Sequence, residues 1–262
     1  MEVSLTLRNG DCLEVMKSIP DKSVDLIICD LPYGCLTAQK SATPFGRNVK
    51  GPSNSGCAWD IKIPLEPFWK EVKRIRKSDH SPTIHFVTTK FGYEVIKSNE
   101  AEFRYDLVWD KRVGVSFLSA NKMPMRSHEM IYIFSKAGAF YERKDITGDF
   151  PKGGGGDRKN ASVYGTVGRI SHITEAGRRC ALSVINSASK SKTRGKHPTE
   201  KPCDLYKFLI ERYCPANGTV LDPTFGSGNS VFTAFAMGRN AIGIEKDETF
   251  YKKAEEKLNE LP

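Results

Sequence analysis

No apolar run in this sequence approaches the ~20 residues that a membrane-spanning helix needs, and no two cysteines stand at a Cys-x-x-Cys spacing. The seven cysteines (Cys12, Cys29, Cys35, Cys57, Cys180, Cys203 and Cys214) are odd in number and scattered. A disulfide framework is therefore not expected, and reduced thiols are. The pairs His80/His85 and Trp59/Asp60 show no ligand spacing, so no metal site is expected. The opening stretch, MEVSLTLRNGDCLEV, lacks a basic segment followed by a long apolar core. That pattern predicts a cytoplasmic rather than a secreted protein. Internal repeats are absent too. Acid is the scarcer charge, with 31 Asp and Glu against 40 Lys and Arg, a net charge of +9.

What is present is enough to build a core. A chain of 262 residues with 39% hydrophobic and 27% charged residues is neither disordered nor membrane-like, and its size suits one α/β domain with an insertion. Strand-like and helix-like patterns alternate. VDLIICD (24–30) is too apolar to alternate, as in a parallel strand covered on both faces. PLEPFWKEVKRIRK (64–77) spaces Phe68, Val72 and Ile75 along one helical face. TIHFVTT, RYDLVWDK and EMIYIFSK read as strands, the last two adjacent. Periodicity then fails between Gly138 and Lys196, where twelve Lys and Arg face five Asp and Glu and supply seven of the nine net positive charges. So long an irregular, basic stretch points to function, and a basic surface attracts polyanions. The helix-like KPCDLYKFLIERYC (201–214) restores the pattern, followed by strand, glycine loop, helix, strand and a final helix. The prediction is a doubly wound α/β domain made of residues 1–137 and 197–262, carrying an insertion at 138–196.

The segment GTVLDPTFGSGNS runs from a strand into a loop in which Gly226 and Gly228 permit a tight turn and close backbone approach to a ligand. A helix follows near Asn229, and the next strand ends on Glu245, where a carboxylate can accept both hydroxyls of a ribose. A dinucleotide fingerprint would place a third glycine where Val231 stands, and a pyrophosphate would be repelled by Asp222. S-adenosylmethionine suits the pattern better, with its ribose for Glu245 and its ammonium for Asp222.

The strand VDLIIC delivers Asp30 into the turn Asp30-Leu31-Pro32-Tyr33. The amine of adenine or cytosine is a poor nucleophile because its lone pair is delocalised into the ring. Two acceptors a few ångströms apart would draw that nitrogen towards tetrahedral geometry. The Asp30 carboxylate and the Leu31 carbonyl can serve, with Pro32 stiffening the turn and Tyr33 stacking on a base held outside the duplex.

DLPY resembles the D-P-P-Y motif of S-adenosylmethionine-dependent DNA amino-methyltransferases, and DPTFGSGNS resembles their cofactor loop. The order, with DLPY first, the basic insertion next and the cofactor loop last, resembles the circularly permuted β class of that family. LRNGDCLEVMKSIPDKSVDLIICD, WDK followed by MPMRSHEMIYIFSK, and KHPTEKP are similar to further family segments. Only residues 138–195 fall outside the resemblance.

The resemblance implies a Rossmann-like methyltransferase sheet, with residues 138–196 as the target-recognition segment. It implies catalysis by Asp30, Leu31, Pro32 and Tyr33. Cofactor contacts are expected from Asp11, Cys12, Asp222, Pro223, Phe225, Gly226, Gly228, Asn229, Glu245 and Lys246, with Thr199 and Lys201 near the methionine end. The leading Asp favours N6 of adenine. N4 of cytosine and a catalytically inactive DNA-binding protein stay open as alternatives. Double-stranded DNA is the expected partner, with a homodimer and a separate restriction endonuclease as further expectations. Leu31 departs from the family's proline but can still supply a carbonyl. His128 and Glu129 read equally as a base pair or as part of the pocket wall.

Overall fold

The computed structural model describes residues 3–34, 60–115, 120–149, 176–187 and 200–260. Thr199 and the glycine run at 153–156 lie outside them. The chain divides into two compact units, Met1–Tyr141 with Ser183–Pro262, and Glu142–Leu182.

In the larger unit, β1 (Leu5–Asn9), α1 (Cys12–Met16) and β2 (Leu26–Cys29) come first, followed by α2 (Leu65–Ile75), β3 (Thr83–Val87) and α3 (Thr89–Ser98). Two long strands, β4 (Phe103–Val115) and β5 (Arg126–Phe134), form an antiparallel pair. The smaller unit contributes β6 (Ile146–Thr147) and β7 (Arg178–Arg179), which pair antiparallel with Ile146 opposite Arg179. The larger unit resumes with β8 (Val184–Asn186), α4 (Cys203–Tyr213), β9 (Thr219–Asp222), α5 (Asn229–Ala236), β10 (Asn240–Glu245) and α6 (Glu248–Asn259).

Eight strands form one sheet in the order β1-β10-β9-β2-β3-β5-β4-β8. Every pairing is parallel except those of β5 with β3 and β4. The sheet is doubly wound. From β2 the chain proceeds to β3 on one side, and from β9 it proceeds to β10 on the other. The gap between β2 and β9 is thus a topological switch point, where ligands bind beyond the carboxyl ends of the strands. Ile27 lies opposite Leu221 across that gap, so the residues after Cys29 and after Asp222 emerge side by side although nearly two hundred residues separate them in sequence.

The apolar composition of β2 follows from its burial on both faces. Leu26 and Ile28 join a core with residues of α4, α5 and α6, including Leu205, Leu209 and Val231. Ile27 and Cys29 join the opposite core, with Phe68, Val72 and Ile75 of α2. Truncating a side chain such as Phe68 to alanine should cost about 3–5 kcal/mol. Pro67 is tolerated in α2 because it sits in the first turn, whose N–H groups have no intrahelical partner.

Four elements escape the pattern reading: helix α3 and the short strands β6, β7 and β8. Helix α3 contains Gly92, a poor helix former, placed where a Cβ would come within 2.6 Å of the Tyr132 ring. Strand β8 comprises three residues inside the irregular basic stretch, yet it pairs with β4 at the sheet edge. Among the described residues no helix is long and apolar enough to cross a membrane.

Candidate active site

The carboxyl ends of β2, β9 and β10 open onto a cavity of about 630 Å³. Its wall includes the whole turn Asp30-Leu31-Pro32-Tyr33, Asp11 and Cys12, the loop residues Pro223, Phe225 and Gly226, and Glu245, Lys246 and Lys201. Most of the residues expected from sequence therefore share one enclosure.

At one end, Asp11 caps α1, its Oδ1 accepting from the Leu13 amide at 3.0 Å, while Lys246 Nζ donates to its Oδ2 at 3.0 Å. Burial works against the Asp11 charge, but Lys246 and the Leu13 amide outweigh it and hold the carboxyl below its usual range. The neighbouring Cys12 thiol is pushed up to about 12, first by burial and then by Asp11. It stays neutral and contributes packing. Glu245 is 8% exposed. Its Oε2 accepts from the Gly226 amide at 2.9 Å and its Oε1 from the Asp247 amide at 2.8 Å. Burial raises its pKa, and the amides only partly offset that. Each oxygen keeps a lone pair for a further donor.

The loop between β9 and α5 depends on glycine. Gly226 and Gly228 have φ of 53° and 80°, and a Cβ on Gly228 would meet the Phe232 ring at 2.7 Å. Asp222 sits behind this loop and does not line the cavity. Its Oδ1 accepts from the Thr224 amide at 2.9 Å and its Oδ2 from the Ser230 hydroxyl at 2.5 Å. Burial pushes its carboxyl up to about 7, opposed by those two bonds. Sequence alone expected Asp222 to meet an ammonium; in this structure both of its oxygens turn inward to brace the loop. Gly228 and Asn229 also stand back from the cavity. Asn229 Nδ2 instead donates to Glu200 Oε1 at 2.6 Å and to the Lys201 carbonyl at 2.9 Å, tying the entry of α4 to the loop.

At the other end, the Tyr33 hydroxyl lies 3.0 Å from Asp30 Oδ1 and 3.1 Å from the Phe86 carbonyl, with one proton to donate between them. The Tyr33 ring packs on Phe91 at 5.1 Å between centroids. The turn is anchored on three sides. The Leu31 side chain is buried in the core. The Asp30 carbonyl accepts from the Thr224 hydroxyl at 3.2 Å, and the Gly34 amide donates to Asp60 Oδ1 at 2.8 Å. From the described residues the Leu31 carbonyl accepts no hydrogen bond.

Lys201, expected near the methionine end, reaches the Asp30-Leu31-Pro32-Tyr33 turn, its Nζ donating to Asp30 Oδ2 at 2.5 Å, with Glu129 Oε2 at 3.5 Å. The Phe86 ring covers the ammonium at 5.0 Å. Burial alone would lower the Lys201 pKa, but Asp30 and Glu129 outweigh it and hold it above the ordinary lysine value. Several wall residues, among them Asp60, Lys62 and Glu200, show no local signal in the sequence. Glu129, read from sequence either as half of a base pair or as pocket wall, lines the cavity from its cross-strand position opposite Trp109.

Comparison with known proteins fits this geometry. The family model described as DNA methylase matches residues 24–256. The Type II methyltransferase M.HinfI of Haemophilus influenzae is 29% identical over 269 residues, covering 98% of this chain and 68% of that protein. The putative methylase YubD of Escherichia coli (strain K12) is 26% identical, covering 95% and 88% respectively. Among solved structures, the PvuII DNA methyltransferase (cytosine-N4-specific) superposes with a TM-score of 0.66 at 16% identity, over all of this chain and 89% of that one. The M1.HpyAVI–SAM complex gives 0.58 at 17% identity, over 97% of this chain and all of that one.

Proposed function

The chain belongs to the N6/N4 DNA methylase family, and on that premise we propose that it transfers a methyl group from S-adenosylmethionine to the N6 amine of an adenine turned out of duplex DNA. One observation carries the reading: Asp30, Leu31 and Tyr33 open onto the same cavity as Glu245 and the glycine loop. The cavity suits the cofactor on its own terms. Glu245 keeps acceptor capacity for ribose hydroxyls while bound to two amides, and the Gly226 turn lets backbone approach closely.

The residues divide the work by position. Asp11, Cys12, Phe225, Gly226, Glu245 and Lys246 form the wall for the nucleoside. Asp222, Gly228 and Asn229 keep the loop in shape from behind. Asp30 Oδ2 and the Leu31 carbonyl accept the two N–H bonds of the target amine and draw its lone pair out of conjugation. Tyr33, backed by Phe91, offers a ring to the base, and Pro32 limits the turn's freedom. S-adenosylmethionine supplies an activated methyl: the amine nitrogen's lone pair forms the N–C bond while the S–C electrons return to sulfur. The alkylated nitrogen then sheds one proton, for which Asp30 is the adjacent carboxylate.

Adenine is preferred over cytosine because the motif opens with Asp, a tendency of the family. The Type II methyltransferases among the relatives support a role in DNA modification; a separate restriction endonuclease and a cytoplasmic setting are part of the same proposal. The direct test is Asp30→Ala, measured by transfer of tritiated methyl to DNA and, separately, by cofactor binding. Transfer should fall by about 10³-fold or more with cofactor affinity preserved. An active Asp30→Ala enzyme would remove the proposed acceptor.

A further inference from the structure

The Asp30 oxygen that must receive the target amine is already occupied. Lys201 Nζ stands 2.5 Å from Asp30 Oδ2, and Lys201 is only 4% exposed. Tyr33 serves the other oxygen, Oδ1. A carboxylate held by an ammonium is a weaker acceptor, and a cation beside the amine opposes the positive charge that develops on nitrogen during methyl transfer. The ammonium has to leave that oxygen for another partner. The Phe86 ring covers it on one side, and its backbone is held by Asn229.

A second carboxylate lies within reach. Glu129 on β5 lines the same cavity, and its Oε1 is held by Lys111. Its Oε2 is buried and makes no hydrogen bond, standing 3.5 Å from Lys201 Nζ. A buried carboxylate oxygen without a donor is costly, and a shift of roughly 1 Å by the lysine would satisfy it. One ammonium is thus shared unequally between two acids, tightly with Asp30 and loosely with Glu129.

We propose that Glu129 is a positioning residue that takes the Lys201 ammonium from Asp30 when the target amine enters, freeing Asp30 Oδ2 to accept the amine N–H. No proton or bond is exchanged in this hand-over. The ion pair changes partner inside the cavity, and the charge count stays constant. The inference rests on the reading of Asp30 as the amine's acceptor. It holds for either target base.

The test is single-turnover transfer of tritiated methyl to duplex DNA at saturating cofactor. It compares wild type, Glu129→Gln, Lys201→Met and the double variant, with cofactor affinity measured alongside. Glu129→Gln, which leaves Lys201 clamped on Asp30, should be slower by about tenfold or more, with cofactor affinity within about threefold. The double variant, which has no ammonium to clamp Asp30, should run at least about threefold faster than Glu129→Gln. A residue with only a structural role would not give that recovery. Glu129→Asp keeps the charge at shorter reach and should fall between wild type and Gln, so it carries the same comparison if Gln melts early. Wild-type speed in Glu129→Gln, or a double variant no faster than it, overturns the hand-over. Failure of the underlying reading looks different: Asp30→Ala would then be active.

Discussion

Asp222 shows what a single buried acid costs and what it holds. Its carboxyl, pushed up to about 7 by burial, lies far above the ordinary value of ~3.9 it regains on unfolding. A raised folded value means that its contribution to stability is full below the unfolded value. That contribution is lost as pH rises through about 7. Asp222→Asn keeps an acceptor for Thr224 and a partner for Ser230 without the charge. Its melting temperature relative to wild type should therefore be higher at pH 8.5 than at pH 5.5. An equal difference at both pH values would contradict this account of the loop. Sequence alone placed Asp222 at the loop but not its direction, because inward orientation depends on Ser230, eight residues later. The Lys201–Asp30 pair was hidden for a stronger reason: 171 residues separate the partners, and only the fold brings them together. That Asp30 and Tyr33 stand together at the cavity was legible because the signal is local, a strand end followed at once by acid, turn and ring.

At the scale of elements, the loop between β9 and α5 is the most constrained. Gly228 combines a φ of 80° with a ring at 2.7 Å from any added Cβ. Gly228→Ala should lower stability by about 1–3 kcal/mol and weaken cofactor binding more than it slows transfer at saturating cofactor. Urea unfolding and a cofactor titration check both parts, and an unchanged unfolding midpoint would show that the loop has room to spare. Long or strongly periodic elements such as α2 and β2 were readable because burial on defined faces dictates their apolar spacing. Helix α3 was not, since Gly92 answers to the Tyr132 ring rather than to helix propensity. Nor was β8, whose three residues are too few to show a period and gain their pairing from β4.

At the scale of the whole molecule, charge and chemistry are distributed differently. The cavity wall sets three lysines against seven acids, whereas seven of the nine net positive charges come from residues 138–196. Sequence composition makes that segment the natural source of phosphate contacts. DNA affinity should fall steeply with salt, by about 10³-fold or more between 50 and 200 mM if six or more phosphates are engaged. Replacing Arg178 and Arg179 by alanine should reduce the slope of log affinity against log salt. An unchanged slope would remove those arginines from the interface. The central claim, methyl transfer to the amine of adenine, is tested most directly by one measurement. DNA incubated with the protein and isotopically labelled S-adenosylmethionine is digested to nucleosides and analysed by mass spectrometry. The expected product is labelled N6-methyldeoxyadenosine, lost in Asp30→Ala. Labelled N4-methyldeoxycytidine in its place, or no labelled nucleoside at all, would contradict the account.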